Sequence, residues 1–245
     1  MEQPPATAGA DGRIARIAFE QHGVVTFAQL RDAGLGVGAI NLRVRNHRLH
    51  RLHRGVFAVG HTRISREGRW HAAVLALGEG ALLSHVSAGA LWGLRPSSAA
   101  VVHVTVPTDA GRGRRAGIVV HRSVSLRGAD IAVRGAIALT SVSRTLLDLA
   151  AMLTPPRLER AVEQSLALRL FDLRAVQSVL DANPRRPGAG ALAAIVEHVH
   201  DEPSLTRSDL EVLMLDLCDA HGLERPEVNV MVEGKEVDFF WRSHG

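Results

Sequence analysis

The sequence predicts an α+β protein built as a run of modest units. Short helices and a hairpin come first, then a mixed α/β middle, a helical segment, and a last helix with a hairpin. Three observations predict this. Apolar residues recur at helical spacing in many short stretches, and short apolar strands bounded by glycine interrupt them. A chain of 245 residues with 46% apolar content has the material for one large core or a few small ones. Charge divides along the chain: residues 1–145 carry 19 Arg against 8 acids, and residues 146–245 carry ten basic residues against 17 acids.

Composition also excludes function classes. The one cysteine, Cys218, excludes an internal disulfide framework and a four-cysteine zinc site, and implies a reducing, cytoplasmic setting. Tyrosine is absent, which removes phenolic acids and nucleophiles, and Lys235 is the single lysine beside 28 Arg. Apolar runs fall short of the roughly 18–20 residues that span a bilayer, so no membrane is expected. Residues 1–12 lack the apolar core of a secretory signal.

Taken in order, Ile14, Ile17, Ala18 and Phe19 predict a first helix that Gly23 ends. Val24 and Val25 make an extended step. Thr26 caps a second helix, with Gln29 as its capping-box partner, and Gly34 closes it. A third helix spans 36–48, with Val37, Ile40, Leu42 and Val44 as core contacts. Residues 49–60 then form a hairpin. Three short helices followed by a hairpin is the order of a winged helix-turn-helix domain, here over 13–60. In that arrangement the third helix enters the major groove of double-stranded DNA and the hairpin lies on the backbone. Residues 33–66 hold seven Arg and no acid. The cluster falls on those two elements: Asn41, Arg43, Arg45, Asn46 and Arg48 on the helix, Arg51 and Arg54 on the hairpin. Arg and Asn suit bidentate contact with guanine and adenine edges, and phosphate neutralisation releases counterions. The plainer alternative is a solvated face in a chain that uses Arg wherever others use Lys. His47, His50 and His53 recur every three residues, but each adjoins an Arg that opposes a cation, so no metal is expected there.

The middle segment, 61–182, reads as mixed. Residues 69–77 and 84–92 are helical, and 101–106, 118–122 and 137–139 are strands. Gly111-Arg112-Gly113-Arg114-Arg115 is the turn between the first two strands. Residues 141–152 form a helix with Arg144 and Asp148 at i,i+4 spacing, expected as a surface ion pair. His85, His103 and His121 lie on different elements that the fold could bring together, and are expected to be structural. Two helices fill 155–182, with Leu158, Val162, Leu166, Leu170, Leu173, Val176 and Leu180 at core spacing. Residues 183–190, with two Pro and two Gly, read as a linker. A helix follows over 191–200.

Gly23-Val24-Val25-Thr26 with Leu30, and Leu52-His53-Arg54-Gly55-Val56-Phe57-Ala58-Val59-Gly60, resemble the N-terminal domain of AbiEi-type antitoxins of type IV toxin–antitoxin systems. Ser84-His85-Val86-Ser87-Ala88, Leu91-Trp92-Gly93-Leu94, Val120-His121-Arg122-Ser123 and 140–150 are similar to the domain that follows it in that family. The resemblance covers about 13–180. It implies a winged-helix DNA binder that represses its own promoter and opposes a cognate toxin protein.

The last segment, 191–245, has a helix over 206–221 and a hairpin of 227–232 with 235–241. Ser208-Asp209-Leu210-Glu211, Arg225-Pro226-Glu227-Val228-Asn229 and Val237-Asp238-Phe239 resemble the start of a very-short-patch-repair-like endonuclease domain of the PD-(D/E)XK class. The resemblance implies Glu211 and Asp238 as vestigial metal ligands, with Mg2+ held only if a further carboxylate strand completed the site. The expectation is therefore a DNA-binding transcriptional regulator without catalysis of its own. The alternative is a PD-(D/E)XK endonuclease, truncated and inactive as the chain stands.

Overall fold

The computed structural model describes residues 9–96, 100–107, 115–124, 126–201, 207–232 and 235–243, with backbone alone for 199–201, 207–213, 235 and 236. The fold is α+β, and the chain divides into two compact units, Met1–Ile195 and Val196–Gly245.

The first unit opens with α1 (Ala10–Glu20), β1 (Val24–Thr26), α2 (Phe27–Asp32), α3 (Val37–Arg45), β2 (Leu49–His53) and β3 (Val56–Val59). These strands form an antiparallel sheet in the order β1-β3-β2. The helices close over it through Ile14, Ala18, Leu30, Ile40 and Phe57, all buried. Thr26 starts α2 with the full capping box: its hydroxyl accepts from Gln29 N–H at 3.1 Å, and Gln29 Oε1 accepts from Thr26 N–H at 2.9 Å. Such a cap is worth about 1 kcal/mol. α3 stops at Arg45, short of the expected 48, because His47 turns left-handed at φ 56°. Phe19 shares the helical spacing of Ile14 and Ala18 but is 89% exposed.

The middle comprises α4 (Arg66–Leu77), β4 (Leu82–Leu83), α5 (His85–Trp92), β5 (Val102–Pro107), β6 (Ile118–Ser123), β7 (Ile131–Arg134), β8 (Ile137–Thr140) and α6 (Val142–Ala150). Its five strands run β6-β5-β4-β8-β7. β5 and β6 are parallel, so 111–115 is not a hairpin turn; of that stretch, 111–114 lies outside the described residues. Ten residues separate the two strands, enough to cover about 33 Å, and a six-residue strand is only about 20 Å long. The chain can therefore return to the same end of the sheet. β4, of two residues, is too short to leave a pattern in the sequence, and β7 adds to the expected strands. Val102, Val104 and Val106 pack against Trp70, Val74 and Leu139 on one face of the sheet. Alternation turns His103 and Thr105 to the other face. α4 joins this sheet to the first through a second small core of Val24, Val56, Ala72 and Ala76.

α7 (Pro155–Ala167) and α8 (Leu173–Ala182) follow, burying Leu158, Val162 and Val176. Leu166, read as core, is 40% exposed. The stretch read as a linker is packed. Gly188 sits so close to α6 that a Cβ on it would lie 2.3 Å from the Ala150 carbonyl. α9 (Ala189–Asp201) then buries Ala189 and Leu192. The second compact unit carries α10 (Arg207–Ala220), with Cys218 buried on it, and an antiparallel hairpin of β9 (Glu227–Val232) and β10 (Lys235–Phe240).

Candidate nucleic-acid interface

α3 has two faces. Ile40 is fully buried and Val44 packs beside it against the α1–α2 core. Turned away from that stripe are Gly38, Asn41, Leu42 and Arg45, all exposed, and Val37, the first residue of the helix, is exposed as well. Val37 and Leu42, read as core contacts, are 51% and 48% exposed. The helical repeat explains Leu42: Ile40 and Val44 share a stripe at i,i+4, and Leu42 falls well around the helix from it, whereas Val37 keeps the stripe's spacing and is exposed as the first residue of α3. Apolar side chains beside Asn and Arg on one exposed helix face suit the thymine methyl as well as base edges.

Arg43 does not share that face. It lies roughly 160° around the helix from Arg45 and turns back onto α1. Its Nη2 donates to Asp11 Oδ1 at 2.8 Å and its Nε to the same oxygen at 3.3 Å. This contact holds the Asp11 carboxyl below its ordinary range. Asn46 and Arg48 are exposed just beyond the end of α3 rather than on it. The rings of His47 and His50 stack at 6.2 Å across that turn.

The hairpin brings Arg51 and Arg54 to the surface. Arg51 lies over the Phe57 ring at 5.4 Å and its Nη2 reaches Asn41 Oδ1 at 3.4 Å, so it ties the wing to the exposed face of α3. Gly55, at φ 80°, makes the turn between β2 and β3. Six of the seven sequence-predicted residues thus stand exposed on α3, the turn after it and the hairpin. The seventh, Arg43, is half-buried against Asp11.

The structure also gathers a buried cluster around His85, His103, His121, Arg144 and Asp148. Arg144 and Asp148, expected on a helix surface, are both fully buried. Arg144 Nε donates to Asp148 Oδ1 at 3.1 Å, Nη1 to Asp130 at 3.3 Å and Nη2 to Ser123 at 3.1 Å. Arg186, from the stretch read as a linker, donates to Asp148 at 2.7 Å. Two guanidiniums therefore face two carboxylates, and the histidines beside them stay neutral. His85 stacks on His121 at 3.6 Å, and His103 Nδ1 lies 2.9 Å from His121 Nε2. Burial lowers His85 to about 3 and His121 to about 4, helped by neighbouring positive groups, and lowers His103 as well. Burial pushes the Asp148 carboxyl up, against the pull of Arg144 and Arg186.

Ser84, His85 and Asp148 invite comparison with a nucleophilic triad, and the geometry rejects one. Ser84 Oγ at 2.9 Å and Asp148 Oδ2 at 3.7 Å both approach His85 Nδ1. A relay needs them on opposite nitrogens. All three residues are also buried away from any substrate. His85 itself adopts a left-handed φ of 52°.

In the second unit Asp238 is exposed on β10. Glu211 falls on α10, and its side chain lies outside the described atoms. Among the described residues no group of three or more His, Cys, Asp or Glu is placed to hold a metal ion, and no helix is long and apolar enough to cross a membrane.

No family model and no curated protein matches the chain. A crystal structure of the RV2827C protein from Mycobacterium tuberculosis is similar to it, covering 80% of this chain and 83% of its own at 17% identity and a TM-score of 0.38.

Proposed function

We propose that the chain is a cytoplasmic, DNA-binding transcriptional regulator of the antitoxin type, acting without catalysis and opposing a cognate toxin protein. One observation carries the reading. The exposed face of α3 presents Asn41 and Arg45, the turn after it Arg48, and the adjoining hairpin Arg51 and Arg54, in a stretch without a single acid. A helix face of this kind fits a major groove while a hairpin holds phosphates. The test is fluorescence anisotropy on the duplex upstream of the protein's own gene, across a salt series. Arg51→Ala with Arg54→Ala should weaken binding on every sequence and reduce the salt slope by about one for each phosphate no longer neutralised. Unchanged binding and slope would reject the interface. The endonuclease alternative keeps one observation, the exposed Asp238 on a strand that follows a helix and turn. It requires magnesium-dependent nicking that Asp238→Ala abolishes, and a clean preparation that leaves supercoiled plasmid intact excludes it.

A further inference from the structure

Where the hairpin meets the middle of the molecule lies a cavity of about 440 Å3. Its floor is apolar, from Leu52 of β2, Ile64, Ala72 of α4 and Val102 of β5. Its rim is cationic: Arg63 and Arg69 line it and are exposed, and among the described residues neither forms an ion pair and no acid lines the wall. His53 of β2 completes that side, half-buried and held below its ordinary pKa by burial and by nearby Arg115. The wall on the hairpin side is irregular. The pairing of β2 with β3 slips between Arg51 and His53, which frees Leu52 to point into the second core rather than along the ladder. The two residues that line the cavity, Leu52 and His53, therefore sit between the two arginines of the proposed phosphate contacts, Arg51 and Arg54.

We infer that this cavity is an effector site for a small amphipathic anion, with an apolar body on Leu52, Ile64 and Val102 and a carboxylate, sulfonate or phosphate head between Arg63 and Arg69, and that its occupant fixes the hairpin and so raises DNA affinity. The coupling to DNA rests on the function proposed above; the binding itself does not. An occupant that orders β2 lowers the entropy still to be lost when phosphates bind Arg51 and Arg54, which makes the two ligands cooperative.

The test uses the full chain and 8-anilinonaphthalene-1-sulfonate, an amphipathic anion whose fluorescence rises in apolar sites. Saturable binding of one probe per chain is expected, with near-ultraviolet circular dichroism unchanged. Arg63→Ala with Arg69→Ala should weaken it about tenfold, the share that one charge-assisted hydrogen bond supplies. Ala116→Trp, at an exposed position of the wall, should block it, and Arg45→Ala should leave it alone. Hydrogen exchange should slow at the amides of β2 and β3 when the probe binds. Promoter DNA should then bind about threefold tighter or more. Absence of saturable binding, or binding indifferent to both cavity variants, overturns the site. Probe binding without hairpin protection, or with DNA affinity unchanged or reduced, overturns the effector role. A wild-type chain that ignores DNA without probe refutes the proposed function, and the titration and exchange arms still decide the cavity.

Discussion

Arg43 and Arg45 are two residues apart on one helix and do different work. Arg43 is tied to Asp11 across the surface of α1, an exposed pair of the kind worth at most about 1 kcal/mol. Arg45 faces outward with Asn41 and Leu42. Arg45→Ala should therefore cost about 1–3 kcal/mol of DNA affinity. Arg43→Ala should lower the melting temperature slightly and change affinity less, and anisotropy beside thermal denaturation separates the two. Equal losses of affinity would put both on the interface. Arg144 is a third case. Its removal leaves Asp130 without a cation and Asp148 with Arg186 alone in the interior, so Arg144→Ala should cost about 3–5 kcal/mol, read from the urea midpoint. A variant as stable as the parent would mean that water reaches those carboxylates.

At the scale of elements, α6 and the chain that returns over it set the clearest constraint. Gly188 has φ 85° and no room for a Cβ against the Ala150 carbonyl. Gly188→Ala combines backbone strain with a backbone clash, and should cost at least about 2 kcal/mol, visible as a drop in melting temperature. The sequence made most helices legible, because caps such as Thr26–Gln29 and stripes such as Ile14–Ala18 are local. It misread 183–190 because Pro and Gly signal a turn whether or not that turn is packed. It misplaced Arg144 and Asp148 for a related reason: i,i+4 spacing says the two share a face, never which way the face points. Leu42 failed similarly, since an apolar residue on an exposed helix face looks like core, and Val37 keeps core spacing but stands exposed at the first residue of α3. His103 and His121 meet only through the parallel register of β5 with β6, which sets Thr105 opposite His121, and His85 joins them from the start of α5. No pattern within one strand contains that pairing.

For the whole molecule, buried neutral histidines tie stability to pH. His71, His85, His103 and His121 all titrate below the ordinary 6.5 in the folded state, to about 4 or lower where the shift is largest. Below pH 6.5 the unfolded chain takes up protons that the folded chain refuses. Stability present above pH 6.5 is thus lost as pH falls towards 4, by about 1.4 kcal/mol per pH unit for each histidine between its two values. Asp148, pushed upward by burial, works in the opposite sense, and His53, also lowered, adds to the histidines. Urea midpoints at pH 7.5, 6 and 5 should fall in that order, and a flat series would mean the histidines are already hydrated.

Cys218 gives the second compact unit a marker of its own. Its thiol is 1% exposed on α10, and no other residue in the chain can react with a maleimide at neutral pH as a thiol does. Covalent capture therefore waits on the moments when α10 lifts from its packing. Comparing the labelling half-time in buffer with that in denaturant yields the opening equilibrium of that helix.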